Sequence, residues 1–294
     1  VNTIRAGAAR HVLCVGMEKM TACDTATVGA TLIKASYVAE EAVDGMTFPG
    51  VFGKIAQNYF QKYGDQSDAL AMIAAKNHKN GSVNPLAHMQ KDFGYDFCRT
   101  ESDKNPFVAH PLKRTDCSMV SDGAAAVVIS DMDASQTADK AIAFKAMTHV
   151  NDFLPMSKRD IISFEGPKVA WAKTLEAAGI TLDDLSFVET HDCFTIAELI
   201  EYEAMGLVEP GQGMKAIKEG WTQKDGKLPV NPSGGLKAKG HPVGATGVSM
   251  HVMAAMQLTN SAGGCQIDGA ELGGVFNMGG AAVANYVSVL EALK

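Results

Sequence analysis

An α/β fold is predicted for this chain of 294 residues. In its second half, short apolar segments typical of buried strands alternate with longer helical segments, several of which end at a glycine. This alternation favours a sheet that is covered by helices on both faces. The composition, 46% hydrophobic and 20% charged, is that of a compact protein with a large core.

The first predicted elements are the end of a helix and a short strand. Residues 1–9 read as a helix end with Gly7 as its stop, and residues 11–16 as an apolar strand. Glu18 follows directly after this strand, and we interpret it as a structural salt-bridge residue.

Residues 21–117 differ from the segments before them, because they are mostly helical in pattern and poor in strand-like segments. Helices are predicted over 52–63 and over 67–80, the second with Ser67 as its N-cap and Gly81 as its stop.

Strand-like sequence returns at 119–129, where Asp122 and Gly123 are predicted to make a tight turn into a buried strand. The polar segment 131–140 is expected to link the two halves of the chain. A strand, a helix, a helical turn, a strand and a helix are then predicted at 141–150, 167–178, 181–184, 187–189 and 195–204. The last two predicted strands lie near 269–277 and 281–291.

The most informative stretch is the glycine-rich segment 231–247, which contains a single imidazole, His241. A helix is predicted from about 243 to 258, and its positive N-terminal end would keep His241 neutral and able to act as a base. Gly244 and Ala245 are small enough for a backbone or a ligand to approach closely. A glycine-rich turn with a helix-capping histidine explains the same residues.

Charge and hydropathy exclude some classes of partner. A net charge of −7 gives no reason to expect a nucleic acid partner, although a local basic patch can still bind an anion. Lys237 and Lys239, beside His241, are the candidates for such a patch. We recognise neither a membrane-spanning segment nor a signal peptide, and we therefore expect no membrane partner. A chain of this length needs no disulfide bonds, so we expect reduced thiols and a cytoplasmic location.

Cysteine usage argues against a metal site. The thiols are scattered and form no Cys-x-x-Cys pair, so neither a zinc ribbon nor a disulfide framework is predicted. His191 with Cys193 lacks a matching second pair of ligands. The cysteines lie at positions 14, 23, 98, 117, 193 and 265.

Three blocks of this sequence resemble thiolases. Gly-His-Pro-Val-Gly-Ala-Thr-Gly at 240–247, with Asn-Pro-Ser-Gly-Gly at 231–235, is similar to the Gly-His-Pro block of that family. His-Asp-Cys-Phe at 191–194 resembles the block that marks thiolases of the sterol-carrier-protein type, which include bacterial acetyl-CoA acetyltransferases. Asn-Met-Gly-Gly-Ala at 277–281 stands where many thiolases have Cys-x-Gly-Gly-Gly. The likeness extends from Arg5 to the last strand.

The resemblance implies a thiolase fold, in which two similar α/β halves carry an inserted, mostly helical loop domain. Residues 1–30 and 118–135 would then be the remainder of the first half, which is incomplete in this chain. Residues 31–117 would form the loop domain over the coenzyme A site, and residues 136–294 the second half.

The resemblance also implies roles for individual residues. A thiolase makes or breaks a carbon–carbon bond between two acyl-CoA units by means of a nucleophilic thiol. By match, His241 would activate that thiol and Cys193 would move the α-proton, its thiolate favoured by the helix that begins at Thr195. His191 would hold one oxyanion, directly or through water, and the backbone N–H of Gly279 would serve a second.

The nucleophile itself is expected before Val1, because in the family it begins the helix whose end we predict there. Cys14 and Cys23, the nearest thiols, lack the Cys-x-x-Gly context of a helix start. The chain would then be part of an ordinary thiolase, or a second polypeptide would supply the missing segment. Alternatively, it is a non-thiolytic subunit, of the aldolase or scaffolding type, that binds acyl-CoA and works with a partner chain.

The working hypothesis is an acyl-CoA C-acyltransferase that acts on coenzyme A thioesters without a separate cofactor or metal. The resemblance implies a homodimer or a homotetramer. An unrelated α/β hydrolase is disfavoured because no Gly-x-Ser-x-Gly elbow occurs.

Overall fold

The computed structural model describes residues 1–43 and 45–293. Asp44, in the predicted loop domain, and Lys294, at the end of the predicted second half, lie outside the described residues. Within the described residues, no helix combines the length and apolar character needed to cross a bilayer.

Helices and strands occur in the mixed order expected of an α/β protein. The helices are α1 (Asn2–Arg5), α2 (Thr25–Leu32), α3 (Val38–Glu41), α4 (Phe48–Tyr63), α5 (Ser67–Ser82), α6 (Gly94–Arg99), α7 (Met132–Ser135), α8 (Glu165–Ala178), α9 (Thr195–Ala204), α10 (Gly213–Lys218), α11 (Gly235–Lys239) and α12 (Thr246–Leu258). The strands are β1 (His11–Lys19), β2 (Phe107–Ala109), β3 (Leu112–Lys113), β4 (Asp122–Ser130), β5 (Ile142–Asn151), β6 (Phe187–Glu189), β7 (Leu272–Gly279) and β8 (Ala284–Ala292).

The largest sheet has four strands in the order β5-β8-β7-β6. β6 runs parallel to β7, whereas β8 is antiparallel to both β5 and β7. β1 and β4 form a separate antiparallel pair, and β2 with β3 forms a short one.

Both faces of the four-stranded sheet are covered. On β7, Phe276 packs in the core cluster that contains Trp171 of α8, whereas its neighbour Val275 packs with Met250 of α12. Adjacent strand residues point to opposite faces, so α8 and α12 lie on opposite sides of this sheet. The α/β class predicted from the sequence is therefore confirmed.

The β1–β4 pair is covered differently. α12 packs against it through both strands. Leu13, Val15, Met17 and Val128 remain 59–72% exposed on the described protein. The expectation of a sheet covered on both faces therefore holds for the four-stranded sheet but not for this pair.

Helices α4 and α5 pack against α9 and thereby join the segment 31–117 to the second half. Phe52 and Tyr59 of α4 and Ile73 of α5 share one core cluster with Ile196 of α9. α5 also contacts α11, where a Cβ on Gly81 would lie 2.5 Å from Cβ of Ala238. The domain boundaries proposed from the sequence stay predictions.

Four local predictions need correction. Gln66, not Ser67, precedes α5, and the backbone N–H of Ser67 donates to Oδ1 of Asp65. Gly81 lies inside α5 and does not end the helix. Its small size serves the close packing against α11.

The two other corrections concern a turn and a helix start. Asp122 and Gly123 are paired residues of β4, opposite Lys19 and Glu18, and not a tight turn. The helix expected to begin near residue 243 begins at Thr246.

Candidate active site

One cavity of about 200 Å³ contains every predicted catalytic residue: His191, Cys193, His241 and Gly279. Its remaining wall is mostly apolar. This wall is formed by Met20, Leu32, Ala35, Phe48, Pro49, Cys117, Ser118, Met119, Val120, Phe194, Val243, Thr246, Asn277, Met278 and Gly280.

The sheet explains why these distant residues meet. β6 ends at Glu189 and runs parallel to β7, which ends at Gly279. The carboxyl ends of parallel strands lie at the same edge of a sheet, where α/β proteins place their sites. The loop after β6 carries His191 and Cys193, so both reach the cavity beside Gly279.

His241 lies in the cavity wall and is neutral. Burial lowers its pKa well below the ordinary value, and the neighbouring His191 and Lys239 act in the same direction. The neutral ring that we predicted is thus found, but burial causes it. A helix N-terminus is not the main cause, since α12 begins only at Thr246.

The hydrogen bonds of His241 fix its tautomer. Its Nδ1 lies 2.7 Å from Oγ1 of Thr246, and that hydroxyl donates to the carbonyl oxygen of Pro242 at 3.0 Å. A hydroxyl has one proton to donate, so Nδ1 of His241 is the donor to Thr246. Nε2 then carries the lone pair and is the basic nitrogen.

His191 faces His241 edge to face, with ring centroids 5.0 Å apart and planes at 90°. Its Nδ1 lies 2.7 Å from Oδ1 of Asn277, which can only accept, so Nδ1 donates. Burial lowers the pKa of His191 to about 4, which leaves Nε2 unprotonated at neutral pH. An unprotonated Nε2 has no N–H to donate, so any contact with an oxyanion would need a water molecule between them; the role itself stays a prediction.

Cys193 is a buried neutral thiol. Burial raises its pKa well above the ordinary value, and the charges of Glu201 and Asp192 raise it further. Burial therefore opposes the thiolate that we expected the helix at Thr195 to favour, and the role of Cys193 in proton transfer stays a prediction. A neutral thiol in the cavity wall is a proton donor.

A second thiol, Cys117, also lines this cavity and was missed as a site residue. Its Sγ donates to the carbonyl oxygen of Lys113 at 3.4 Å, and burial raises its pKa to about 12. Nothing in its sequence context distinguishes it from a buried structural cysteine.

The predicted basic patch does not form. Lys237 and Lys239 are buried, and burial lowers the pKa of each. Nζ of Lys237 donates to the carbonyl oxygen of Cys117 at 2.9 Å, and Nζ of Lys239 to Oγ of Ser249 at 3.0 Å. Neither ammonium group is available to phosphates at the surface.

Gly244 and Ala245 are approached closely, as predicted, but by strand β1. A Cβ on Gly244 would lie 2.5 Å from the carbonyl oxygen of Met17, and one on Gly16 would lie 2.8 Å from Cα of Ala245. Oε2 of Glu18 accepts from the backbone N–H of Gly244 at 3.3 Å. Among the described residues Glu18 has no ion-pair partner, so the predicted salt bridge is wrong.

Metal chemistry finds no support in the side chains. Within residues 1–43 and 45–293, no cluster of three or more His, Cys, Asp or Glu side chains is arranged to hold a metal ion.

The cavity offers a base at His241, a neutral thiol at Cys193 and polar groups at His191 and Asn277.

Two family profiles match the chain: the thiolase N-terminal domain over residues 1–133 and the thiolase C-terminal domain-like family over residues 148–292. An acetyl-CoA acetyltransferase of Methanothermobacter thermautotrophicus is 38% identical over 271 residues, 92% of this chain and 69% of that protein. Human sterol carrier protein 2 is 33% identical over 294 residues, 94% of this chain. The chain spans 52% of that relative's length.

Solved structures share the fold at low identity. A structure described as the Ltp2-ChsH2(DUF35) aldolase has a TM-score of 0.87 at 18% identity, covering 99% of this chain and 75% of the other. A monomeric SCP2-thiolase like protein of Mycobacterium smegmatis has a TM-score of 0.73 at 15% identity, covering 99% of this chain and 58% of the other.

Proposed function

The chain belongs to the thiolase family, and on that premise we propose that it catalyses acyl transfer on coenzyme A thioesters. The reaction is thiolytic cleavage of a 3-ketoacyl-CoA or its reverse, Claisen condensation of acetyl-CoA units. The observation that carries this proposal is the meeting of a neutral imidazole base, His241, with a neutral thiol, Cys193, in one cavity.

In this mechanism Nε2 of His241 takes the proton of a nucleophilic cysteine that we expect before Val1. The thiolate attacks the 3-keto carbonyl carbon, and the bond between C2 and C3 breaks. The electron pair of that bond passes to the acetyl-CoA enolate, whose α-carbon takes the proton of Cys193. Free coenzyme A gives its thiol proton to the Cys193 thiolate and attacks the acyl-enzyme thioester. The nucleophilic cysteine leaves as a thiolate and takes back the proton held by His241, and the shortened acyl-CoA is released.

Two groups in the cavity wall are placed to stabilise negative oxygens. His191, neutral and proton-free at Nε2, would act through a water molecule that it orients. The backbone N–H of Gly279, at the end of β7, would serve the second oxyanion. Removing an oxyanion donor of this kind lowers kcat by a factor on the order of a hundred.

The wall of the cavity favours an acyl group of short or medium length. Phe48, Met119, Val120 and Met278 present apolar surface to it, and its volume of about 200 Å³ suits a short or medium acyl group better than a long one. We further propose, from the family relationship, a homodimer or homotetramer in the cytoplasm.

Acetoacetyl-CoA cleavage by the encoded protein tests the proposal. Cys193→Ala and His241→Asn should each reduce kcat at least a hundredfold, since each removes a proton-transfer group. Cys265→Ala is the matched control, because Cys265 is buried in a separate small cluster outside the cavity. Rates like those of the unmodified protein in both site variants would refute the assignment.

A non-thiolytic acyl-CoA-binding subunit that works with a partner chain is the second candidate. It is supported by the fold that the chain shares with the structure described as the Ltp2-ChsH2(DUF35) aldolase, at a TM-score of 0.87. The two functions differ in one covalent step. Incubation with acetoacetyl-CoA should leave an acetyl group on a cysteine of a thiolase, detectable by mass spectrometry of the intact protein. Binding of acyl-CoA without an adduct would favour the second candidate.

A further inference from the structure

Asp192 stands between two cavity residues, His191 and Cys193, but its own side chain is fully buried behind the cavity wall. Its carboxylate reaches α11 instead. Oδ1 accepts from the backbone N–H of Leu236 at 2.6 Å, and Oδ2 from that of Lys237 at 3.3 Å. These two residues lie a few positions before His241 in the chain.

We propose that the carboxylate of Asp192 is a positioning group that ties the loop 191–194 to the segment 235–241, and so sets the placement of His191 and Cys193 relative to His241. The inference rests on the proposed function, in which these side chains act together. Asp192 itself does not line the cavity and would touch no reacting atom.

The place for this carboxylate is built into the glycine-rich segment. A Cβ on Gly235 would lie 2.5 Å from Cγ of Asp192, so a larger residue would displace the carboxylate. Gly235 also has a φ of +61°, which glycine adopts readily and other residues resist. The absence of a side chain at this position therefore serves the contact between Asp192 and α11.

Two further helices are connected to the carboxylate, α5 directly and α9 through Asn77. Nδ2 of Asn77, in α5, donates to Oδ2 of Asp192 at 2.7 Å and to Oε2 of Glu198, in α9, at 2.6 Å. Glu198 in turn accepts from Nζ of Lys76 at 2.6 Å. The contact therefore depends on α5, which lies in the predicted loop domain, as well as on the second half.

Protonation should weaken this contact. Burial and the charge of Glu198 raise the pKa of Asp192 to about 7, while the backbone N–H groups and Lys76 oppose the rise. A protonated carboxyl is a weaker hydrogen-bond acceptor than a carboxylate, so its contacts with the three N–H donors lose strength. The titratable groups that interact with Asp192 from the surrounding elements are Lys76, Cys193, Glu198, Glu201, Tyr202, Lys237 and Lys239.

The test is Asp192→Asn in the full encoded protein, because this change keeps shape and removes one acceptor oxygen. We expect kcat for acetoacetyl-CoA cleavage to fall at least tenfold with KM within twofold. We also expect kcat of the unmodified protein to fall below about pH 7, where Asp192 becomes protonated, and this fall to be absent from the variant. Asp184→Asn, in an exposed capping box, is the control and should change neither.

A second measurement separates this inference from the proposed function, since it needs no turnover. In spectra of ¹³C-histidine-labelled protein, the ring signals of His191 and His241 should both move in Asp192→Asn. Those of His149, stacked on Tyr286 on a strand away from the cavity, should not. If the unmodified protein is inactive but these signals still move in Asp192→Asn, the proposed function is refuted and the positioning role of Asp192 is not.

If Asp192→Asn does not fold, Asn77→Ala replaces it, because it removes one donor to the carboxylate and keeps both backbone contacts. A folded variant, of either kind, with unmoved His191 and His241 signals and kcat within twofold would overturn the inference.

Discussion

Replacing Lys76 by methionine should destabilise the fold more than most single substitutions, because it breaks a buried ion pair. Nζ of Lys76 lies 2.6 Å from Oε1 of Glu198, and both side chains are 0% exposed. The same ammonium donates to the carbonyl oxygen of Val230 at 2.6 Å. Removing it leaves a buried carboxylate without its counter-ion.

Methionine has nearly the length of lysine, so little cavity forms and the charge dominates the cost. Breaking one side of a buried ion pair costs about 3–5 kcal/mol in free energy of unfolding. Asn77 and Asn231 still donate to Glu198, which places the expected loss near the lower end, at about 3 kcal/mol. The double variant Lys76→Met with Glu198→Gln should recover more than half of this loss, because neither member of the pair then carries an uncompensated charge.

Equilibrium urea denaturation at neutral pH, followed by tryptophan fluorescence, measures the effect, since Trp171 is buried in the same core cluster as α9. Lys168→Met is the matched control. Its partner Glu165 lies 4.0 Å away and both side chains are about 60% exposed, so the loss should stay below about 1 kcal/mol. A loss below about 1 kcal/mol for Lys76→Met, or a double variant less stable than the single one, would refute the reasoning.

Three further predictions follow from the site. Gly235→Ala should lower the free energy of unfolding by about 2 kcal/mol more than Gly179→Ala does in the same urea assay. Both glycines have positive φ, but only a side chain at Gly235 would collide with a buried carboxylate. Equal losses in the two variants would contradict this. Thr246→Val should lower kcat for acetoacetyl-CoA cleavage about tenfold, since it removes the acceptor that fixes the tautomer of His241; an unchanged kcat would contradict it. Burial lowers the pKa of His191 to about 4, so the unfolded chain binds a proton below about pH 6.5 that the folded chain does not. Stability should therefore fall as pH drops from 6.5 to 4, and His191→Asn should remove about 3 kcal/mol of that fall in urea titrations at several pH values; parallel pH curves would contradict it.

Some of the fold could be predicted because the local backbone geometry decides it. Helices α4 and α8 end where glycines follow, at Gly64 and Gly179, and both glycines have positive φ. The loop after β6 is predictable for a similar reason, since a short buried strand leads directly into a polar block and a helix. These signals lie within a few neighbouring residues.

The failures occur where the deciding contact is distant in sequence. Gly81 looks like a helix stop, but it lies against Ala238, which is 157 positions away. Lys237 looks like a surface cation beside a glycine-rich loop, but Cys117 and the other residues around it exclude water. Local sequence contains no information about which segment will cover a side chain.

The pKa of Cys193 is raised and not lowered for an energetic reason. The end of a helix contributes at most about 1–2 kcal/mol to a nearby charge, whereas full burial can shift a pKa by several units, each worth 1.36 kcal/mol. Glu201 and Asp192 lie close enough to add to the effect of burial. The sign of the pKa shift therefore follows from the tertiary environment and not from the position of Cys193 before α9.

The same burial explains how the cavity can favour proton transfer. His191, His241 and Cys193 are all neutral in the resting protein, so the cavity wall carries no fixed charge from them. If His241 takes a proton from the nucleophilic cysteine and Cys193 gives one to the enolate, as proposed, opposite charges appear together in a site of low dielectric constant, where their mutual attraction is strong. That attraction depends steeply on separation. A buried carboxylate that holds the loop 191–194 against the segment 235–241 therefore affects the rate through distance, although it lies outside the cavity.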